Sequence, residues 1–127
     1  KIMNNLIIDT TGQKIFLIFI SKDKEYNIKH DNSRENFDEL VKLVFDFIRE
    51  NRIDLLKIDN VFVNQGPGKY TSIRSAISIV KALKISKKIN IYGYYSTQIA
   101  NNDYKILLKL LEEGRLTKDF IQPKYSN

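Results

Sequence analysis

The 127-residue sequence contains no cysteine and only one histidine, His30. The lack of cysteine excludes disulfides and every metal site that depends on thiolate ligands. No apolar run approaches the about 18–20 residues of a membrane-spanning helix, and the N-terminus lacks the pattern of a secretory signal peptide. A chain of this length can bury one hydrophobic core but not two complete lobes. These absences predict a cytoplasmic protein with one domain and no membrane contact.

Side chains suited to catalysis are also scarce. His30 falls at the end of a predicted edge strand, where a surface position is the simplest interpretation. Ser33, Thr71 and Ser72 have no histidine–carboxylate pair beside them, so no hydrolase triad can be drawn from the sequence. We therefore predict no catalytic residue, no metal ligand and no cofactor.

The charge of the chain is unevenly distributed. The net charge is +6, with +2 in residues 1–30, −3 in residues 31–65 and +7 in residues 66–127. A basic C-terminal half beside an acidic middle could attract an RNA or an acidic protein surface. Lysines that solvate the outside of helices explain the pattern more simply. Few arginines, and none interleaved with aromatic residues, argue against a dedicated nucleic-acid groove.

Hydrophobic periodicity and turn residues predict eight elements. Short polar turns separate three strands that read as an antiparallel meander, and two helix–strand pairs and a last helix follow. Asn32 or Ser33 is expected to cap the first helix, and Gly114 to end the last one. The predicted bounds are strands 5–8, 14–20 and 25–29, helix 32–51, strand 60–64, helix 71–86, strand 89–95 and helix 103–113. This order predicts an α/β fold, with a mixed five-stranded sheet and helices on its faces.

The Gly66-Pro67-Gly68 turn is the sharpest local feature. It follows a buried-strand pattern and opens an apolar helix, for which Thr71 or Ser72 is the expected N-cap. Pro67 restricts φ, and the flanking glycines can adopt dihedrals closed to other residues. Free amides at such a turn could bind an anion, or the turn could hold the backbone close to a neighbour. We expect the architectural role for Gly66, Pro67, Gly68 and Thr71.

Four segments together resemble one protein family. Residues 6–11 (LIIDTT) resemble a hydrophobic strand followed by Asp-Thr-Ser/Thr, and residues 63–74 (VNQGPGKYTSIR) resemble G-P-G-S-F-T-G-[LV]-R. Residues 76–83 (AISIVKAL) resemble G-x-A-x-A-K-G-L, and residues 89–96 (INIYGYYS) resemble I-P-[LV]-x-G-V-S-S. The order and spacing are those of the TsaB/YeaZ family. Departures lie at Lys69, Ser72, Ser75 and Ala82, where that family usually has small residues or glycine.

The resemblance implies a ribonuclease-H-like single lobe of the actin, sugar-kinase and Hsp70 type over residues 1–114. A tail of residues 115–127 follows, and its Pro123-Lys124-Tyr125 resembles the P-x-Y ending of full-length members. Such members carry a second lobe, so we expect that this chain has lost most of it. An experimental truncation with an accidental match at the end is the alternative.

The two long helices are predicted to be apolar over about 200° of their circumference, against about 100° for an ordinary surface helix. The additional apolar surface of the two helices could be buried where they pack against each other within the lobe, or it could bind a partner. The resemblance implies an intersubunit helix bundle, formed with the catalytic TsaD subunit or with a second copy. The predicted interface comprises Phe37, Leu40, Val41, Val44, Phe45, Ile48, Ile73, Arg74, Ile77 and Val80.

The resemblance implies a non-catalytic scaffold that binds and stabilises a TsaD-type subunit, for threonylcarbamoyl transfer to the adenosine beside the tRNA anticodon. A TsaE-type ATPase is a further expected partner, tRNA is contacted only indirectly, and the chain alone is expected to form a homodimer.

Two alternatives stay open. One is a small ribonuclease-H-like nuclease or ATP-binding enzyme that uses Asp9 and the Gly66–Gly68 turn. A nuclease of this kind needs several carboxylates to hold two metal ions, whereas Phe62 and Val63 fill the expected place on the fourth strand. The other is a homodimeric module with a lost or altered role in the pathway.

Overall fold

The computed structural model describes residues 3–86, 88–119 and 121–124, and a mixed sheet of six strands runs through its centre. The order across the sheet is β3-β2-β1-β4-β5-β6. Strands β1, β4 and β5 are parallel to one another, and the other three pair antiparallel with their neighbours. The strands are β1 (Asn5–Asp9), β2 (Lys14–Ile20), β3 (Glu25–Asp31), β4 (Asn60–Asn64), β5 (Asn90–Tyr94) and β6 (Thr117–Lys118).

Helices cover both faces of the sheet. The helices are α1 (Arg34–Asp38), α2 (Leu40–Glu50), α3 (Tyr70–Ser86) and α4 (Ile106–Glu112), with short 3₁₀ turns at Leu55–Lys57 and Ser96–Gln98. One core cluster joins α2 and α3 to the first face, and a second cluster joins α4 to the other face. None of the described helices is long and apolar enough to cross a lipid bilayer.

Strands β1 and β4 are buried along their whole length. Successive strand side chains point to opposite faces, so one short apolar run supplies both cores. Leu6 and Ile8 enter the core under α2 and α3, whereas Ile7 enters the core under α4. The two strands therefore show the continuous apolar pattern of parallel strands covered on both sides.

The predicted fold class is confirmed, with two differences in its elements. The predicted helix over residues 32–51 is two helices, because Glu39 leaves helical geometry at φ −105° and ψ 19°. The sheet has six strands instead of five, because Thr117–Lys118 pairs with β5. A strand of two residues is too short to produce a recognisable alternation of polar and apolar side chains.

Two of the predicted helix ends are confirmed. The Ser33 side chain accepts a hydrogen bond from the Asn36 amide at 3.2 Å and so caps α1. Gly114 follows α4 with φ +67°, the left-handed geometry that commonly ends a helix.

Three asparagines lie in register at the amino ends of the parallel strands. The Asn60 side-chain amide donates to Asn5 Oδ1 at 2.9 Å, and the Asn90 amide donates to Asn60 Oδ1 at 3.4 Å. The side-chain amide of Asn5 donates in turn to the backbone carbonyl of Ile20 on β2 at 3.2 Å. A slip of one residue would leave buried amides without partners. This asparagine ladder therefore favours the native register.

Replacing the central member, Asn60→Leu, should lower the free energy of unfolding by about 1–3 kcal/mol, because Asn5 Oδ1 then stays buried without its donor. Urea denaturation measures the change. Asn27→Leu is the matched control, because Asn27 is exposed on β3 and should tolerate the same substitution. Equal effects of the two substitutions would contradict a role for the ladder.

Candidate functional site

The carboxyl ends of the parallel strands bring polar side chains together. Asp9 ends β1, Asn64 ends β4 and Ser96 follows β5. The Asn64 amide donates to Thr11 Oγ1 at 3.2 Å and to Ser96 Oγ at 3.0 Å. Open α/β sheets bind ligands at this edge. Here the side chains of the edge are joined to one another.

Asp9 is only 5% exposed and is the centre of this network. Its Oδ2 accepts a hydrogen bond from the Tyr104 hydroxyl at 2.7 Å. Its Oδ1 accepts from the Thr11 amide at 3.0 Å and from Thr11 Oγ1 at 2.8 Å. Both carboxylate oxygens are therefore used by donors from the same chain, as a buried carboxylate requires.

Two tyrosines line the buried side of Asp9. Burial raises the pKa of Tyr104 far above its usual value, and the nearby charge of Asp9 raises it further. Burial raises the pKa of Tyr94 in the same direction, with a smaller effect from Asp9. Both side chains are therefore neutral at physiological pH. A neutral hydroxyl is the form of Tyr104 that can donate to the Asp9 carboxylate.

The nuclease alternative finds little support in this arrangement. Within residues 3–86, 88–119 and 121–124, no three His, Cys, Asp or Glu side chains lie close enough to hold a metal ion together. Asp9 therefore has no acidic cluster around it, and a two-metal mechanism depends on one. The network around Asp9 joins the loops at this edge of the sheet.

The Gly66-Pro67-Gly68 turn is packed against neighbouring backbone. A Cβ atom on Gly68 would lie 2.8 Å from the carbonyl oxygen of Thr11, and φ of Gly66 is +114°. The amide of Gly66 donates to Asn64 Oδ1 at 2.9 Å. These contacts support the architectural role of the turn and leave the Gly66 amide unavailable to an anion.

The predicted N-cap of the second long helix is wrong. Helix α3 begins at Tyr70, and the Ile73 amide donates to the Lys69 carbonyl at 3.1 Å, so Thr71 and Ser72 lie inside the first turn. Ser72 instead ties this turn to the rest of the fold. Its hydroxyl donates to Asn32 Oδ1 at 3.3 Å, and its carbonyl accepts from Thr10 Oγ1 at 2.9 Å.

Six of the ten predicted interface residues lie in the protein's own core. Helices α2 and α3 share one face of the sheet, so the inner half of each apolar arc is used for folding. The outer side of α3 carries polar or small residues such as Arg74, Ser78 and Lys81. The assignment to an exposed partner surface is therefore corrected for Leu40, Val44, Ile48, Ile73, Ile77 and Val80.

Three of the other four predicted residues, Phe37, Val41 and Arg74, line one open groove, and the fourth, Phe45, lies on α2 one turn beyond Val41. Val41 is 54% exposed and Phe45 is 41% exposed, one turn apart on α2, while Phe37 is half-buried and Arg74 is exposed. The groove between α1, α2 and α3 has a volume of about 400 Å³. Its apolar lining includes Phe37, Val41 and Ile79, and its polar lining includes Asp38, Arg74 and Ser78.

Tyr104 is a site residue that sequence reasoning missed. It is 95 positions from Asp9 in the chain, and no motif surrounds it. Asn64 could have been found, because asparagine before a glycine turn commonly bonds to the backbone two residues on. It does so here with the Gly66 amide.

Strand order, connections and the two-sided helical cover define one ribonuclease-H-like lobe of the actin, sugar-kinase and Hsp70 type. Comparisons with known proteins agree with this class. The family model that describes TsaD, a tRNA N6-adenosine threonylcarbamoyltransferase, matches residues 28–103. The tRNA threonylcarbamoyladenosine biosynthesis protein TsaB of Buchnera aphidicola subsp. Schizaphis graminum is 28% identical over 94 residues, which are 74% of this chain and 45% of the relative.

Solved structures share the fold. YeaZ from Pseudomonas aeruginosa superposes with a TM-score of 0.69 at 19% identity, over 88% of this chain and 50% of YeaZ. RuvC from T. thermophilus, solved with a Holliday junction substrate, gives a TM-score of 0.51 at 15% identity, over 76% of this chain and 66% of RuvC. The chain belongs to the family that the TsaD model describes, and the curated relative reported above is a TsaB protein. The chain spans about half of the length of these TsaB and YeaZ relatives.

The raised pKa of Tyr104 predicts an alkaline limit to stability. An unfolded tyrosine ionises near pH 10, whereas folded Tyr104 keeps its proton, so the stability that it contributes is lost above about pH 10. Tyr104→Phe should cost about 1–3 kcal/mol near pH 7, because a bond to a carboxylate is lost. The difference in the free energy of unfolding between Tyr104→Phe and the wild type should become smaller by up to about 1.4 kcal/mol per pH unit above pH 10.

Urea unfolding of both proteins between about pH 7 and pH 11 measures this difference. Tyr26→Phe is the control, because Tyr26 stacks on Phe19 at a ring distance of 6.1 Å, in the core of the other face. A difference for Tyr104→Phe that stays constant over the whole range would contradict the prediction.

Proposed function

We propose that this protein is a non-catalytic scaffold in tRNA threonylcarbamoyladenosine synthesis and binds a TsaD-type catalytic subunit in the cytoplasm. A TsaE-type ATPase and tRNA join through the assembled complex and do not occupy the groove of this chain. The observation that carries the proposal is the exposed apolar surface of α2 beside that groove, on a chain that is similar to TsaB.

The exposed apolar residues support a protein interface. Large hydrophobic side chains exposed singly are ordinary, but Val41 and Phe45 lie four residues apart and so form one continuous stripe on α2. Phe37 and Ile79 extend the stripe into the groove. A partner helix laid along α2 would cover the stripe, and Arg74 and Asp38 would meet its polar side chains at the rim.

A stable interface of standard size covers about 800 Å² on each partner, roughly a tenth of the 7723 Å² of this chain. The stripe and the groove would form the centre of such an interface. Aromatic and aliphatic side chains in such a centre usually carry most of the affinity, and rim charges mainly adjust association rate and specificity.

The polar network at the carboxyl edge supports the non-catalytic part of the proposal. In an enzyme of this fold, Asp9 would be the first candidate for a catalytic carboxylate. Its oxygens are instead engaged by Tyr104 and Thr11. A substrate or metal would have to displace three hydrogen bonds to reach it.

Val41→Asp and Phe45→Asp should each weaken binding to the TsaD-type subunit of the same organism by at least about 30-fold, because a buried carboxylate would replace an apolar contact. Calorimetry on the purified subunits measures the affinity. Both variants should keep the wild-type circular dichroism, since these side chains are exposed in the free chain.

Leu56→Asp is the matched control. Leu56 is 72% exposed but lies on the 3₁₀ turn outside the groove lining, so its substitution should leave binding unchanged. Light scattering on the chain alone tests the related proposal that it self-associates through the same stripe. The assignment fails if the wild-type chain does not bind the TsaD-type subunit at tens of micromolar.

A second prediction concerns activity. The purified chain should show no Mg²⁺-dependent nuclease or ATPase activity, and Asp9→Ala should change only stability, because Asp9 serves a hydrogen-bond network. Phosphate release from ATP tests the ATPase activity, and cleavage of branched DNA tests the nuclease activity. A Mg²⁺-dependent activity that Asp9→Ala abolishes would favour the enzyme alternative over the scaffold.

A further inference from the structure

After β6, Asp119 lies beside the amino end of β5, and Lys124 lies beside Gln65, the residue that follows β4 and precedes the glycine turn. We call Asp119 and residues 121–124 the strap. The Asp119 amide donates to the Ile91 carbonyl on β5 at 3.1 Å. Asp119 has φ +68°, so the chain changes direction immediately after pairing with β5.

The far end of the strap binds the residue that precedes the glycine turn. The Lys124 amide donates to the Gln65 carbonyl at 2.7 Å, and the Gln65 side-chain amide donates to the Gln122 carbonyl at 3.0 Å. A Cβ atom on Gly66 would lie 2.1 Å from the carbonyl oxygen of Lys124. Only glycine at position 66 therefore allows the strap to lie this close.

A second glycine makes room for the Gln65 side chain. A Cβ atom on Gly93 would lie 2.3 Å from Gln65 Oε1, so a larger residue on β5 would displace this side chain. Gln65 is buried and holds the strap through both its backbone and its side chain. The two glycines leave the space in which Gln65 and the strap pack against each other.

The strap also contacts the helix that this turn introduces. Ile121 is 1% exposed and belongs to the same core cluster as the inner side of α3, including Ile73 and Val80. Near the other end of α3, Lys84 forms an ion pair with Asp119. The strap therefore touches the entry, the inner side and the last turns of one helix.

We propose that the strap is a clamp that holds α3 in position and thereby sets the shape of the groove between α2 and α3. Arg74, Ser78 and Ile79 of that groove all belong to α3. When the strap is released, the entry turn loses its contacts at Gln65 and Gly66, and the core under α3 loses Ile121. The link to partner binding rests on the proposed function, whereas the effect on α3 does not.

Hydrogen exchange tests the clamp on the full chain. Ile121→Ala should speed exchange of the α3 amides by about tenfold relative to those of β1, because local opening of α3 becomes easier. Leu107→Ala is the matched control, since Leu107 is equally buried but lies in the core of the opposite face. It should lower global stability without a selective effect on α3.

A charge exchange tests the ion pair without disturbing the core. Lys84→Glu should loosen α3 by placing two acidic groups together, and Lys84→Glu combined with Asp119→Lys should restore wild-type exchange. In calorimetry with the TsaD-type subunit, the single variant should bind about three- to tenfold more weakly and the double variant should recover the affinity.

The outcomes separate the two proposals. Faster exchange confined to α3 in Ile121→Ala supports the clamp, and equal changes in Ile121→Ala and Leu107→Ala overturn it. If the wild-type chain binds no TsaD-type subunit, the proposed function fails, while exchange still decides the clamp. If exchange changes but affinity does not, the link between the clamp and the groove is overturned.

Discussion

The parallel pairing of β1, β4 and β5 is the constraint on which the rest of the structure depends. Both faces of β1 and β4 are buried, so each short strand must supply side chains to two cores at once. Buried peptide groups in these strands have no water to bond with, so the strands must pair with one another. The asparagine ladder favours their register at one end.

The same pairing decides what the helices can offer to a partner. Because α2 and α3 must both cover the first face of the sheet, most of their apolar residues are used inside the lobe. Burial of a large aliphatic side chain contributes about 1.5–3 kcal/mol, so the sheet competes strongly for these residues. What is left outside is a narrow stripe on α2 beside a groove whose opposite wall, on α3, is largely polar.

At the carboxyl edge of the sheet, polar side chains of this chain bond to one another. A sheet with this topology presents loops at the edge where many α/β proteins bind ligands. In this chain that edge is filled from within, because Tyr104 and Thr11 bond to Asp9, and the strap covers the turn after β4. The likeness to RuvC is therefore one of fold, and function depends on the side chains that this edge carries.

Much of the architecture could be read from the sequence because its causes are local. The Ser33 cap of α1 and the glycine after α4 act within a few residues, and the structure contains both of them. The broad apolar arcs of α2 and α3 were also local observations. Periodicity showed how wide each arc is, but it could not show which part faces the sheet, because that depends on where the helix sits.

The sequence by itself determined the fold class and the order of the main strands and helices. Only the tertiary structure decided which carboxylate is buried, which apolar residues are left exposed, and that the C-terminal strap completes the core. The physical reason is distance along the chain. Asp9 meets Tyr104 across 95 positions, and Gln65 meets Gln122 across 57. Such contacts exist only once the whole sheet has formed, because no local pattern records them.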